Sequence, residues 1–375
     1  GTTFIKANSN TNNIAIGTDA GLILQGEKSV AMGDNAGRDT QGASAVAMGY
    51  TAGRFGQGIS AVSVGESAGY NGQNTFSVAV GYRAGCAVQG VNAVAMGYTA
   101  GLNAQGDSAT AVGDSAGRVS QGENAVAIGS TAGYNAQGIN TVAIGLLSGC
   151  NAQGGSSVAV GVNSGRISQG TNAVAIGDSA GKTSQGIGAV AIGHEAAIAS
   201  QNTNSVAIGN QAGRTAQGLY AVAVGLNSGL NAQAASTVAV GNASGKNAQG
   251  ENAVAIGEAT GCSAQGANAT AVGYLAGRVS QGANATAVGY GAGSASQGGQ
   301  GVAVGLNAGY NAQGDSSVAV GRDAGQVSQA ADSVAVGRGA GQTSQGAYSV
   351  AVGYDAGCAD QGASSVAIGN QAGKT

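Results

Sequence analysis

The chain has 375 residues, of which 72 are glycine and none is proline, and its formal net charge is −3. Collagen is excluded because its three-residue glycine period comes with abundant proline. Disorder is disfavoured because only 8% of the residues are charged and valine and isoleucine recur regularly. The slightly acidic balance gives no support for binding to nucleic acid or to anionic lipid, and no apolar run is long enough to form a membrane-spanning helix.

From Ile14 onward the chain is a strict 16-residue repeat. A glycine that closes Val-Ala-Ile-Gly or a close variant recurs from Gly17 to Gly369 in 23 copies, without one insertion or deletion. We number the repeat from this glycine as position zero. Such fidelity predicts stacked rungs of a solenoid. We therefore predict one elongated domain over residues 14–375, preceded by an imperfect first rung or cap at residues 1–13.

Each rung contains one clear strand signal. Position +13 is Val in 19 of 23 copies, +14 is Ala except at Ser63, and +15 is always Ile, Val or Met. This alternation predicts a short strand. Turn residues follow, then a second short strand from about +3 to +7, and a Gln-Gly turn at +8 and +9. A helical solenoid is excluded because its repeat needs roughly 30 to 45 residues. The fold class predicted is all-β, a parallel β-solenoid (β-roll) with two short strands per rung.

The alternation also predicts which side chains are buried. Val and Ile at +13 and +15 should form a narrow dry core, and the core candidates are Val126, Ile128, Val142, Ile144, Val174 and Ile176. Ala at +14 would then face outward. A constant Ala on an exposed face indicates close approach of a second backbone, so this face is predicted to pack against another copy of the chain. The interface candidates are Ala127, Ala143, Ala159 and Ala175. Recent duplication is the alternative explanation of the uniform column.

Position +8 is Gln in all 22 copies from Gln25 to Gln361. Stacked amides can donate to the next rung and accept from the previous one, so this column predicts an axial hydrogen-bond ladder. The alternative is a repeated ligand site, which is disfavoured because an amide is neither an acid, a base nor a nucleophile. The ladder candidates are Gln25, Gln41, Gln57, Gln73, Gln89, Gln105, Gln121, Gln137, Gln153, Gln169, Gln185 and Gln201.

Position +5 holds 10 of the 14 basic residues and all four cysteines, Cys86, Cys150, Cys262 and Cys358. The closest two cysteines are four rungs apart, roughly 19 Å, which is too far for a disulfide or a shared zinc ion. Either the cysteines are free, or each one meets the same cysteine of another copy of the chain across an interface. No cofactor, metal or catalytic site is predicted, since His194 is the only histidine and no rung breaks the pattern with a cluster of polar groups.

The segment Ser-Val-Ala-Ile-Gly-Asn-Gln-Ala-Gly, residues 365–373, resembles the head repeats of trimeric autotransporter adhesins. It is also similar to glycine-rich Val-Ala-Ile-Gly repeats of presumed fibre and surface proteins of large algal viruses and phages. The adhesin resemblance implies a left-handed parallel β-roll in a homotrimer. Two departures are the longer repeat and the constant Gln. The resemblance therefore implies the roll and the trimer rather than a bacterial outer-membrane address.

These observations predict a non-catalytic structural fibre or adhesin-type rod. Its expected partners are other copies of the chain, as a trimer or an end-to-end filament, and a host or cell-surface receptor. The last rung has no polar cap over its sheet edge, so we expect further protein or another copy beyond it. The expected location is extracellular, on a cell or on a virion. The alternative is an ice- or surface-binding solenoid, which would need a regular array such as a Thr column.

Overall fold

The protein consists of short strands joined by tight turns. The computed structural model describes residues 5–8 and 12–374, and no helix occurs among them. The chain divides into two compact units, residues 1–188 and residues 189–375. Each unit contains two parallel sheets: the valine sheet, built from positions +13 to +15, and the glutamine sheet, built from positions +6 to +8. The prediction of an all-β parallel β-solenoid with 16-residue spacing is confirmed in each unit.

In the first unit the strands of the valine sheet are Asn13–Ile16, Val30–Met32, Val46–Met48, Val62–Val64, Val78–Val80, Val94–Met96, Thr110–Val112, Val126–Ile128, Val142–Ile144, Val158–Val160 and Val174–Ile176. The strands of its glutamine sheet are Phe55–Gln57, Asn71–Gln73, Ala87–Gln89, Asn103–Gln105, Val119–Gln121, Asn135–Gln137, Asn151–Gln153, Ile167–Gln169 and Thr183–Gln185. Single bridges extend this second ladder to Gln25 and Gln41.

In the second unit the strands of the valine sheet are Val190–Ile192, Val206–Ile208, Val222–Val224, Val238–Val240, Val254–Ile256, Thr270–Val272, Thr286–Val288, Val302–Val304, Val318–Val320, Val334–Val336, Val350–Val352 and Val366–Ile368. The strands of its glutamine sheet are Ala199–Gln201, Thr215–Gln217, Asn231–Gln233, Asn247–Gln249, Ser263–Gln265, Val279–Gln281, Ala295–Gln297, Asn311–Gln313 and Val327–Gln329. Single bridges extend this ladder to Thr343 and Ala359.

Neighbouring strands pair in register at a separation of one repeat. Val126 lies opposite Val142 and Ala127 opposite Ala143, while Gln137 lies opposite Gln153. The second strand of each rung is displaced from the predicted one. It occupies +6 to +8 rather than +3 to +7, because positions +1 to +4 form the turn. Gln is therefore the last residue of a strand, and its side chain points into the coil.

The first strand, Ile5–Asn8, differs from all others in direction. It pairs antiparallel with Asn13–Ile16, the first strand of the repeat. This segment therefore does not form a parallel rung of its own, and its backbone covers the first edge of the valine sheet. The rest of the predicted cap, residues 1–4 and 9–11, lies outside the described residues.

The interior of each coil is lined by alanine. Ala127 and Ala143 at +14, and Ala132 at +3, have no exposed surface. The opposite wall comes so close that a Cβ added to Gly133 would lie 3.2 Å from the Ala127 Cβ. The valine sheet and the turn that follows it are therefore in van der Waals contact across the interior. A side chain larger than Ala or Ser at +14 would not fit without moving that wall.

The predicted orientation of the valine sheet is wrong. Ala127, Ala143, Ala159 and Ala175, predicted to face another chain, are fully buried within their own coil. The predicted core residues face outward, and Ile128, Ile144 and Ile176 are 37–39% exposed. Val126, Val142 and Val174 are half-buried. A second backbone does approach the alanine column closely, as its uniformity indicates, but that backbone belongs to the same chain.

Position zero requires glycine for two reasons. Gly129 has φ +121°, a conformation that residues with a side chain rarely adopt. A Cβ there would also lie 2.8 Å from the carbonyl oxygen of Gly145 in the next rung. Because the backbones of successive rungs are in contact at this corner, a side chain here would displace the backbone of both rungs.

Three further columns hold residues other than glycine in the left-handed region. Within one rung these are Thr131 at +2, Ala136 at +7 and Asn140 at +11, with φ between 54° and 58°. This conformation costs most residues other than Gly about 1 to 2 kcal/mol, and Asn less. Hydrogen bonds between rungs offset the strain, since the amide of Thr131 donates to the Asp114 carbonyl at 2.8 Å and that of Asn140 to the Glu123 carbonyl at 2.9 Å.

We predict that Gly129→Ala lowers the free energy of unfolding by roughly 1 to 3 kcal/mol, from backbone strain and contact with Gly145. Gly155→Ala is the matched control, because its φ is ordinary and its added Cβ would meet nothing closer than 3.5 Å. Urea denaturation followed by circular dichroism measures both variants. Equal unfolding midpoints for the two would contradict the assigned role of position zero.

Candidate functional site

The glutamine column lies inside the coil and crosses its interior. Gln73 is buried, and its Nε2 donates to the Val62 carbonyl at 2.8 Å and to the Ser77 carbonyl at 3.3 Å. Gln41 makes the equivalent bonds, since its Nε2 donates to the Val30 carbonyl at 2.8 Å and to the Ala45 carbonyl at 3.3 Å. In both cases the acceptors are at +13 and +12 of the repeat. Each such side chain therefore joins the end of its own strand to two backbone carbonyls on the opposite wall of the coil, one at +12 of the same rung and one at +13 of the preceding rung.

Some glutamines also bond to each other from rung to rung. Gln57 Nε2 donates to Gln73 Oε1 and Gln73 Nε2 to Gln89 Oε1, each at 3.2 Å. Other amide pairs of this kind are Gln105 with Gln121, Gln201 with Gln217, Gln233 with Gln249, Gln265 with Gln281, Gln281 with Gln297, Gln329 with Gln345 and Gln345 with Gln361.

At several other rungs the rung-to-rung bond is missing. Oε1 of Gln137, Gln153 and Gln169 is buried without a hydrogen-bond partner. The amide of Gln137 still donates to the Val126 carbonyl at 2.8 Å. The bond across the coil is thus the more regular contact of this column, and the axial bond is intermittent.

Ser63, the one departure from Ala at +14, joins the glutamine network. Its hydroxyl donates to Gln73 Oε1 at 2.5 Å and accepts from Gln57 Nε2 at 3.2 Å. The position accepts an oxygen only because two amides are within reach, since an unbonded buried hydroxyl would destabilise the coil.

The outer surface of the valine sheet is an apolar face, which we call the valine face. It consists of the +13 and +15 side chains of each unit, and no charged residue occurs in either column. Met48, Met96, Ile208 and Ile256 are among its exposed members, with relative exposures of 38–43%, and most of the others are half-buried. The described residues contain no helix that could cross a membrane. In each unit the valine face is thus a strip of mostly apolar side chains that are partly exposed in the single chain.

Two of the positively charged residues at +5 have an acidic partner in the preceding rung of the same chain. Arg214 lies 3.2 Å from a carboxylate oxygen of Glu195, and Lys374 lies 3.4 Å from one of Asp355, both at +2. In these two cases the acidic partner is therefore within the chain itself. Partly exposed pairs of this kind contribute only about 0 to 1 kcal/mol each.

All four cysteines are free, and they differ in exposure. Cys86 and Cys150 are buried, whereas Cys262 and Cys358 are half-buried. Burial raises the pKa of the Cys150 thiol, and the positive charge of Arg166 in the next rung counteracts this only in part. Among the described residues no three His, Cys, Asp or Glu side chains cluster as metal ligands would.

Comparison with known families agrees with this geometry. The repeats match the YadA head domain repeat. The matching stretches are residues 120–148, 184–212, 200–228 and 248–276. YadA head repeats belong to the trimeric autotransporter adhesins, so the resemblance read from residues 365–373 is confirmed. None of the curated proteins matches the chain. The YadA match suggests an adhesin-type fibre with surface placement, since the matched family is one of adhesins.

We predict that Gln73→Leu is more destabilising than Gln137→Leu by about 1 to 3 kcal/mol. Both changes remove the bond across the coil. Only Gln73→Leu also removes the buried oxygen to which Gln57 and Ser63 donate hydrogen bonds. Urea unfolding of the two variants provides the comparison. Indistinguishable losses would show that the bonds along the axis contribute nothing to stability.

We predict that Cys150 is alkylated more slowly than Cys262 by iodoacetamide at pH 8. A raised pKa leaves less of the reactive thiolate at this pH, and burial limits access to the sulfur. Peptide mass spectrometry of samples quenched over time measures each cysteine separately. Faster labelling of Cys150 would contradict the described burial.

Proposed function

We propose that this chain is a non-catalytic adhesin-type fibre segment that assembles with copies of itself through the valine face. The observation that carries the proposal is the position of the valine face on the outside of the coil. Large apolar side chains at every rung make a surface far longer than the scattered apolar residues of an ordinary monomer. Such a continuous patch on a protein surface usually marks an interface.

Cyclic symmetry accounts for the uniformity of the valine face. When identical chains surround one axis, the same column of each chain meets the axis at every rung, so one repeated residue choice serves all of them. Val, Ile and Met vary among themselves at +15 and have similar bulk. A homotrimer is the assembly proposed, because the matched YadA head repeats belong to trimeric adhesins.

The proposed setting is the surface of a cell or a virion, or an extracellular filament. Stacked strands with short turns suit a stiff extended element, and the matched family is an adhesin family. The proposed partner besides the chain itself is a receptor on a host or cell surface. An ice-binding role is not favoured, since the valine face carries Thr only at positions 110, 270 and 286.

The test replaces three outward residues of the valine face together, Ile128→Arg, Ile144→Arg and Ile176→Arg. Each is more than a third exposed in the single chain, so arginine can be accommodated without entering the interior. We expect the unmodified chain to have three times the monomer mass in solution and the triple variant to be monomeric. Multi-angle light scattering measures the mass, and circular dichroism checks that the strands persist.

The matched control replaces three isoleucines at +10, Ile59→Arg, Ile139→Arg and Ile187→Arg. These are 53–56% exposed and lie on the turn after the glutamine sheet. The control should keep the mass of the unmodified assembly. A stable monomer of the unmodified chain, or loss of assembly in the control alone, would rule out the valine face as the interface.

A further inference from the structure

A pocket of about 350 Å³ lies on the surface of the first unit, where positions +1, +2 and +5 of three consecutive rungs meet. Its walls include three tyrosine rings, Tyr50, Tyr70 and Tyr82, and two guanidinium groups, Arg54 and Arg83. We propose that this pocket binds an acidic saccharide, one that bears a carboxylate or a sulfate group. The inference adds a ligand class to the proposed adhesin role.

The tyrosine rings are available to a ligand. Tyr50 is 58% and Tyr82 40% exposed, and they occupy the same column two rungs apart, roughly 10 Å. Tyr82 is held by stacking on Tyr98, with ring centroids 5.1 Å apart and an interplanar angle of 12°. Tyr70 is fixed by edge contact with Phe55, 5.2 Å between centroids. Aromatic faces carry partial negative charge and attract the C–H groups of a sugar ring.

The positive groups are placed for an anion. The Arg54 guanidinium lies over the Phe55 ring at 4.6 Å, and its Nη1 donates to the Tyr70 hydroxyl at 3.3 Å. Arg83 is exposed, and within the described residues neither guanidinium is close enough to a carboxylate to form an ion pair. Arginine binds carboxylate and sulfate groups through paired hydrogen bonds.

The local charge favours an anion over a cation. Glu66 is the only acidic residue between positions 49 and 90, and it lies between Tyr50 and Tyr82 in the +1 column. Two guanidinium groups against one carboxylate leave a net positive charge at the pocket, although the whole chain has a net charge of −3. The positive charge is therefore local to this pocket, which does not suit a long polyanion such as nucleic acid.

Hydroxyl groups complete the surface. Thr51 Oγ1 and Ser67 Oγ are 3.0 Å apart at the pocket, and the Tyr70 hydroxyl is near Arg54. A cluster of hydroxyls beside exposed aromatic rings matches the alternating polar and apolar faces of a pyranose. A pocket that combines apolar walls with a few polar groups is the usual form of a small-ligand site.

The repeat itself contains a comparison that isolates the unusual feature. Arg118, Tyr134 and Cys150 follow one another at +5 just as Arg54, Tyr70 and Cys86 do. There, however, the +1 positions are Asp114, Ser130 and Leu146, where the pocket has Tyr50, Glu66 and Tyr82. Six of the 14 Phe and Tyr residues of the chain lie between positions 50 and 98. The rings at +1 are thus what sets the pocket apart from the Arg118–Tyr134 pair at +5.

Isothermal titration calorimetry of the purified chain tests the proposal with four probes: a heparin tetrasaccharide, a hyaluronan tetrasaccharide, neutral maltotetraose and an oligothymidylate. We expect one or both acidic tetrasaccharides to bind and the other two probes to bind at least tenfold more weakly. The heparin and hyaluronan arms distinguish sulfate from carboxylate recognition.

Two pocket variants locate the site, Arg83→Gln and the pair Tyr50→Ala with Tyr82→Ala. Each should weaken binding of the acidic tetrasaccharide at least tenfold, and the changes are at exposed side chains that the coil does not need. Arg278→Gln and Tyr290→Ala are the matched controls in the second unit and should bind as the unmodified chain does. Circular dichroism confirms that all variants are folded.

The proposal is overturned if neither acidic tetrasaccharide binds, if binding survives both pocket variants, or if oligothymidylate binds as tightly. Light scattering on the same samples measures the mass of the chain, so the saccharide site and the proposed assembly are tested separately. A trimer that binds no saccharide refutes the pocket alone, and a monomer that binds through Arg83 refutes the assembly alone.

Discussion

The width of the coil interior is the constraint on which the rest of the structure depends. The strand at +13 to +15 and the turn at +3 and +4 approach so closely that only small side chains, chiefly Ala, fit between their backbones. Gly133 at +4 leaves room for the Gln137 side chain, whose Oε1 would be only 2.6 Å from an added Cβ. Alanine, glycine and glutamine are thus three parts of one packing solution, repeated at nearly every rung.

This constraint decides where the large apolar side chains go. A conventional core buries Val and Ile because they contribute most to the hydrophobic effect. Here the interior is too narrow for them, and the cavity is filled instead by Ala methyl groups and a hydrogen-bonded amide. The valine face is therefore a consequence of the narrow interior. A fold that buries its smallest residues leaves its largest apolar ones for contacts outside the coil.

Much of the architecture could be predicted from the sequence. The repeat length, the strand at +13 to +15 and the parallel stacking all follow from periodicity, because each needs only a regular pattern of residue types. The inward face could not be derived from alternation alone, since a period of two defines two faces without naming the inner one. Size favoured Val126 over Ala127 as core, and the structure reverses this because a wall of the same chain limits the space.

A signal for the correct orientation was present in the neighbouring columns. Gln at +8 is large and polar, and a buried amide needs several hydrogen-bond partners within reach. Backbone carbonyls such as that of Val62 provide them only inside the coil. The pocket at Tyr50 and Arg83 was missed for a different reason. Column averages describe what all rungs share, whereas this pocket exists because three rungs depart from the average together.

The left-handed turns have a consequence for how the chain folds. Residues such as Thr131 and Asn140 are unfavourable in isolation and are held by carbonyls of the preceding rung. A rung therefore forms readily only against one that is already in place. All pairings of parallel strands within a unit join residues 16 positions apart, so ordering can spread by short loop closures. The antiparallel strand Ile5–Asn8 closes a still shorter loop, which makes it a natural template from which growth of the first unit can begin.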